Sequence, residues 1–208
     1  MRIESVAAQA DRAGRYLVRF DDGSSMRLYR QTVGDFALYA GLELTAQQID
    51  DLRIAAGKMS AKMRAVRIVA ASNVSRKDLE QRLVQKGEDP RQAREAVQWM
   101  EDLDLVDDRK TAQALVQQCI SKGYGCARAK QALYEKKIPK ELWDEVLEDY
   151  PDQSEAILAF LRSRLQGSRE MRDVKRVTDA LLRRGHSYSA IRRGLEQVLP
   201  NADEFPEE

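Results

Sequence analysis

His186 is the single histidine in the 208-residue chain, and the two cysteines are Cys119 and Cys126. These are the residue types most often used for acid–base, nucleophilic and metal chemistry. His186 stands in the run Arg184-Gly185-His186-Ser187 between two helical stretches. No cysteine or strand-borne serine accompanies it as a nucleophile, so it reads as a surface turn histidine. Cys119 and Cys126 are seven residues apart, a spacing of neither a CxxC redox pair nor a zinc knuckle. They read as buried or half-buried free thiols. Glu101, Asp102, Asp104, Asp107 and Asp108 lack the glycine and spacing of a calcium loop and read as helix-end and N-cap residues. A GxxxxGK[ST] phosphate loop is absent. Gly123-Tyr124-Gly125 follows a helix rather than a strand and reads as a helix-linking turn. No catalytic residue, metal or cofactor is called for, and the chain is expected not to be an enzyme.

The basic residues say more. The first helical unit offers Lys62, Arg64, Arg67, Arg76, Lys77, Arg82 and Lys86. The last offers Arg162, Arg164, Arg169, Arg172, Lys175, Arg176, Arg183, Arg184, Arg192 and Arg193. Arginine suits two-pronged recognition of phosphate or carboxylate. Solvated helix faces collect the same residues, so each of these is a candidate contact. Base-stacking on single strands is not signalled, because aromatics are only 6% of the chain and are not interleaved with the cations.

Charged residues make up 33% of the chain, and 35 Lys and Arg face 34 Asp and Glu. The balance is uneven along the sequence. Residues 1–57 hold 7 basic and 8 acidic residues, 58–200 hold 28 and 22, and 201–208 hold four acids and no base. A mildly basic body therefore sits between a near-neutral start and an acidic tail. No apolar run approaches the roughly 18 residues of a spanning helix. No continuous apolar segment marks a secretory signal near the N-terminus, and the expected compartment is the cytoplasm.

The elements that must position these groups fall into two materials. Residues 15–30 predict a hairpin, two runs rich in β-formers around Asp21-Asp22-Gly23-Ser24. Ile3–Gln9 is a candidate third strand. A short helix over Val33–Ala40 ending at Gly41 follows. Thr45 with Gln48 then forms a capping-box pattern for a helix through Leu52. From residue 58 onward the period is helical, and three stretches align. They begin at Leu79, Ala129 and Val177. Each places a leucine four residues on (Leu83, Leu133, Leu181) and a cation three further (Lys86, Lys136, Arg184). A turn and a second apolar pair follow: Ala93/Val97, Leu142/Val146 and Ile191/Leu195. The second copy reads as one residue shorter at the turn.

Ser75 and Asp89-Pro90 read as helix starts, and Pro139 as a first-turn proline. A helix precedes each motif: Ala61–Ser72 with Met63, Val66 and Ala70 inward, Asp108–Ser121 with Leu115, Val116 and Cys119 inward, and Gln153–Leu165 with Ile157, Leu161 and Leu165 inward. The last helix of the first copy is expected to bury Ala93, Ala96, Val97, Met100 and Leu103. The expected fold is mainly α: three tandem three-helix repeats in an elongated curved array, with a small N-terminal β-hairpin module. The expected divisions are 1–57, 58–106, 107–150 and 151–200, followed by the tail 201–208. One such unit buries too little apolar surface to stand alone, and stacking shares it.

These repeats resemble the RecX family, regulatory proteins that act on the bacterial recombinase RecA. The residues that carry the resemblance are Ala65-Val-Arg-Ile-Val-Ala-Ala-Ser72, Ser75-Arg-Lys-Asp-Leu-Glu-Gln-Arg-Leu83 and Lys86-Gly87. To these are added the junction Leu103-Asp-Leu-Val-Asp-Asp108 and the closing run Leu182-Arg-Arg-Gly-His-Ser-Tyr188 with Ile191. The junction departs from the family pattern by having Asp104 and Leu105 where a glycine and an aromatic are usual. The resemblance covers roughly 58–200. It implies a non-enzymatic modulator that lodges in the groove of the RecA–DNA filament and inhibits its ATPase, strand exchange and co-protease activity. Recombination and the SOS response are thereby damped. Under this reading the partners are the RecA filament and DNA alongside it, with no membrane, and the protein is expected to be a monomer. The candidate contacts are Arg64, Arg67, Arg76, Lys77, Arg82, Lys86, Arg162, Arg164, Arg169, Arg172, Arg176, Arg183 and Arg184. Direct nucleic-acid binding by a helical-repeat protein is the alternative.

Overall fold

The computed structural model describes residues 1–199, so the acidic tail expected at 201–208 lies outside the described residues. The chain forms two compact units, divided after Val106. None of the described helices is long and apolar enough to cross a membrane.

Alternation of apolar and polar residues builds a three-stranded antiparallel sheet at the start of the first unit. Its strands are β1 (Ile3–Val6), β2 (Arg15–Phe20) and β3 (Ser25–Tyr29), in that order. The register sets Tyr16 opposite Leu28 and Val18 opposite Met26. Between β2 and β3, Asp22 accepts from the Ser24 amide at 2.9 Å and Gly23 takes φ +79°. Ile3, Val18, Phe20 and Leu28 are buried against Leu38, Leu44, Ile49 and Leu52. The helix expected over Val33–Ala40 is instead α1, Arg30–Asp35. It stops early because Ala37 turns left-handed (φ +45°) and the Leu38 amide reaches back to the Val33 carbonyl at 3.0 Å.

The largest difference from the sequence reading lies in the next element. Two helices with a division at 57/58 are expected, and one 26-residue helix, α2 (Ala46–Ala71), runs through that point. Thr45 and Gln48 do form the capping box at its start. Gly57 is not a break: a Cβ there would collide with the amide group of Gln92. The end of the flexible Gln92 side chain fills the space beside this glycine. Gln92 belongs to α4 (Pro90–Asp102), reached through α3 (Arg76–Gln85). Ser75 caps α3 by accepting from the Asp78 amide, and Asp89 caps α4 ahead of Pro90.

The inward stripe of α2 is Ala61, Ala65 and Ile68, rather than Met63, Val66 and Ala70. Ala70 is exposed and the other two are half-buried. Small residues face small residues here, with Ala93 and Ala96 buried on α4 in the same core. Leu103, expected inside, is 48% exposed. Helix α4 ends at Asp102, Asp104 takes φ +55°, and Val106 enters the core instead.

The second unit opens with α5 (Asp108–Ser121), capped by Asp107, and α6 (Cys126–Glu135). A 3-10 turn over Lys140–Leu142 and the short α7 (Trp143–Leu147) close this copy. Pro139 is the N-cap residue of the 3-10 turn, not a first-turn proline. It occupies the place held by Asp89 and Ser187 in the other copies. Those two accept backbone amides with their side chains; proline has no such acceptor, and the helix that follows is short. Copy two is therefore equal in length to the others at this turn, not one residue shorter. Ala112, Val116, Leu133 and Ile138 are its buried core.

The last copy comprises α8 (Ser154–Leu165), α9 (Met171–Arg183) and α10 (Tyr188–Val198). Its core runs from Ile157, Leu161 and Leu165 through Val174, Val177 and Leu181 to Ile191, Leu195 and Leu199. The three-helix grouping thus recurs three times on a mainly helical chain, with the sheet at the N-terminus.

Candidate functional site

The middle helix of each copy ends in the same way. Gly87, Lys137 and Gly185 take φ of +87°, +56° and +84°. The next amide reaches back five residues in each: Glu88 to the Leu83 carbonyl (3.1 Å), Ile138 to Leu133 (3.0 Å) and His186 to Leu181 (3.2 Å). This is a Schellman closure, and it turns Glu88, Ile138 and His186 inward. What the inward residue does then differs between copies.

Glu88 is buried and makes an ion pair with Arg64 Nε at 2.7 Å. The Ser60 hydroxyl donates to the same carboxylate at 3.0 Å, and Arg64 donates to the Lys86 carbonyl at 2.7 Å. His186, expected at the surface, is only 7% exposed. Its ring Nε2 lies 3.1 Å from the Gly123 carbonyl, so the neutral ring carries its proton on Nε2 and donates to it. Burial holds the imidazole below its usual pKa, the Gly123 hydrogen bond opposes this, and nearby Arg184 adds to the lowering. A neutral, inward-facing ring with one bonded nitrogen is a packing element.

The thiols behave similarly. Cys119 is buried, and burial pushes its pKa up, while Cys126 is half-buried; neither is in a disulfide. Tyr150 donates to the Tyr124 carbonyl at 2.7 Å, and burial pushes its pKa up to about 12. Among the described residues, no group of three or more His, Cys, Asp or Glu could hold a metal ion.

The thirteen candidate cations separate into two sets. In the first unit Arg64 is tied to Glu88, and Arg67 donates to the Tyr29 hydroxyl (2.9 Å) and the Ala13 carbonyl (3.3 Å). Arg76 pairs with Glu101 at 3.2 Å, and Arg82 with Asp78 at 2.8 Å and the Ser72 hydroxyl at 3.4 Å. These four arginines brace their own unit. Lys77 and Lys86 are exposed.

In the second unit Arg184 lies over the Phe160 ring at 4.3 Å and near Tyr124 at 5.8 Å, and it is half-buried. Arg176 pairs with Asp173 at 3.1 Å. Arg162, Arg164, Arg169, Arg172 and Arg183 are exposed, with Arg164 near the edge of the Phe160 contact at 5.6 Å. The stretch 162–176 holds six cations against Glu170 and Asp173. It crosses the end of α8, a linker with Gln166 and Gly167 at positive φ, and the start of α9. Ser168 staples that linker by donating to Asp173 at 2.8 Å. The net positive charge of this corner suits a polyanion.

Sequence reasoning missed the inward role of Glu88 and His186, because the turn that buries them is set by the residue before. The left-handed glycines were the available signal. Lys137, in the same conformation, carried none.

Residues 107–147 match the family model described as RecX, second three-helix domain. The chain is 24% identical over 210 residues to the regulatory protein RecX of Clostridioides difficile (strain 630), covering 98% of this chain and 97% of that protein. It is 28% identical over 211 residues to the RecX protein of Lactobacillus delbrueckii subsp. bulgaricus (strain ATCC BAA-365 / Lb-18), covering 99% of this chain and 78% of that one. The fold matches a crystal structure of regulatory protein RecX with a TM-score of 0.65 at 21% identity, over 92% of this chain and 98% of the other. A crystal structure of RecX from Lactobacillus salivarius matches with a TM-score of 0.59 at 21% identity, over 69% and 97%. In its repeats, its second three-helix domain and its fold, the chain is similar to the RecX regulatory proteins.

Proposed function

We propose that this protein is a non-enzymatic regulator that binds the RecA–DNA filament and inhibits its ATPase, recombinase and co-protease activities. In that role it modulates DNA repair, recombination and the SOS response in the cytoplasm, acting as a monomer. The observation that carries the reading is the similarity to RecX proteins along almost the whole chain. The chemistry of the surface supports it. Histidine and the buried thiol are used in packing, whereas arginines are displayed.

Within this reading, the corner formed by Arg162, Arg164, Arg169, Arg172 and Arg176, with Arg183, approaches DNA phosphates. Lys77 and Lys86 are the corresponding exposed cations of the first unit. Arg64, Arg67, Arg76, Arg82 and Arg184 hold the units in shape and act on binding through that shape. The test is ATP hydrolysis by RecA on single-stranded DNA with the purified protein added. Inhibition at protein concentrations comparable to RecA is expected, and unchanged hydrolysis at stoichiometric protein rejects the reading.

A second reading, direct nucleic-acid binding, is favoured by the same corner. It requires binding to DNA without RecA, with an affinity that falls steeply as salt rises. A gel-shift series at low salt decides it, and absence of a shift removes it.

A further inference from the structure

The last copy brings its final described residue to the basic corner. Helix α10 starts beside the first half of α8, because His186 bonds the Gly123 carbonyl and a Cβ on Gly123 would lie 2.9 Å from the Ala156 Cβ. Further along α10, a Cβ on Gly194 would lie 2.9 Å from Ile157 Cγ2 and 3.0 Å from Leu161 Cδ1. The two helices therefore run side by side toward the same end. There Leu199 joins Leu165 and Val174 in one buried core. Leu165 closes α8 and Val174 lies in the first turn of α9, so Leu199 belongs to the end of the bundle that carries the corner from Arg162 to Arg176.

That corner is short of anions. Arg162, Arg164, Arg169 and Arg172 are exposed, and none of them is in an ion pair among the described residues. Asp173 is taken up by Arg176 and Ser168, and Glu170 is the other acid of the stretch. Six cations against two acids leave four positive charges in excess. Met171 stands among them with 50% of its surface exposed. Residues 200–208 follow Leu199 and supply the complement: Asp203, Glu204, Glu207 and Glu208 are four acids without a base, and Phe205 stands among them. Asp203 is four residues past Leu199 and Glu208 nine, a reach of up to about 14 and about 30 Å for extended chain.

We propose that Asp203–Glu208 docks on the Arg162–Arg176 corner of its own chain, with Phe205 against Met171, and competes there with polyanions. Charge, reach and the single apolar side chain on each side all match. A dense row of phosphates displaces the segment because it offers more charge and releases counterions, whereas a sparse anion does not. The inference rests on the assignment of this corner to DNA phosphates above, and adds a threshold that the chain sets for itself.

The full chain with Asp203→Asn, Glu204→Gln, Glu207→Gln and Glu208→Gln tests it. Without DNA, its amide NMR resonances should differ from the wild type at residues 162–176 as well as in the altered segment. On a single-stranded oligonucleotide at low salt it should bind about tenfold tighter than the wild type, and the gain should shrink as salt rises. With Arg169→Glu and Arg172→Glu already in place, the same neutralisation should change binding less than about twofold. Unaltered resonances at 162–176 overturn the docking. An equal gain without the two arginines traces to overall charge and overturns it too. Resonance differences that grow with protein concentration assign the contact to a second copy and overturn the intrachain form. Resonance differences at the corner with no DNA binding by either protein uphold the docking and reject the phosphate assignment.

Discussion

Gly125 and Gly185 meet backbone to backbone. The Gly125 amide donates to the Arg184 carbonyl at 2.9 Å, and a Cβ on Gly125 would overlap the Gly185 carbonyl oxygen. A Cβ on Gly185 would in turn overlap the Arg128 amide nitrogen. The turn after α5 and the turn after α9 are thus locked together, and His186 adds its hydrogen bond to Gly123 beside them. This contact joins the second and third copies where two helix-linking turns cross.

Gly125→Ala should therefore destabilise the second unit by roughly 2–4 kcal/mol, since backbone atoms cannot yield as a flexible side chain can. Gly34→Ala is the matched control. It lies in α1 with open space around it and ordinary helical backbone. It should leave stability unchanged or raise it by about 0.5–1 kcal/mol. Denaturant unfolding of both variants gives the comparison.

Lys137 holds the left-handed position that glycine fills in the other two copies. A side chain there costs roughly 1 kcal/mol, partly offset by the smaller entropy loss on folding. Lys137→Gly should stabilise the second unit by about 0.5–1 kcal/mol, read as a rise in the unfolding midpoint. Gly87→Lys, the converse change, should destabilise the first unit by a similar amount.

These turns show why the sequence was readable in part. The copies were legible because the buried leucines Leu83, Leu133 and Leu181 recur with fixed spacing, and the caps at Ser75 and Asp89 are local chemistry. The sheet was legible from alternation about Gly23. The continuity of α2 was not, since Gly57 looks like a break until Gln92, 35 residues later, is seen against it. The α2 face was misread because Ala61 and Ala65 are less apolar than Met63 and Val66, yet only small residues let α4 approach. For the candidate surface, arginine content marked the corner around Arg169. It could not separate Arg64 or Arg82 from free cations, because their partners Glu88 and Asp78 are buried by turns and helix faces fixed elsewhere.

His186 predicts a pH dependence. Its folded pKa is lowered, so below the ordinary value of 6.5 the unfolded chain takes up a proton more readily than the folded one. Its contribution to stability is present above that pH and is lost as the pH falls below it toward the folded value. Unfolding midpoints measured from pH 7.5 down to pH 5 should fall for the wild type. His186→Gln should start lower and show a flatter dependence over the same range.

The two sets of arginines should respond differently to charge reversal. Arg169, Arg172 and Arg183 are exposed, so changing all three to Glu should cost less than about 1 kcal/mol of stability. Any DNA affinity should fall, with the salt slope reduced by up to about 3. Arg64→Glu places a carboxylate beside the buried Glu88 and should destabilise the first unit by about 2–4 kcal/mol. Unfolding curves and DNA titrations on the same samples separate the two effects.

Electron microscopy of RecA filaments on single-stranded DNA, with and without the protein, would show whether it binds the filament. Density for the protein on the filament is expected, with the Arg162–Arg176 corner toward the DNA. Filaments that stay undecorated at saturating protein would contradict it.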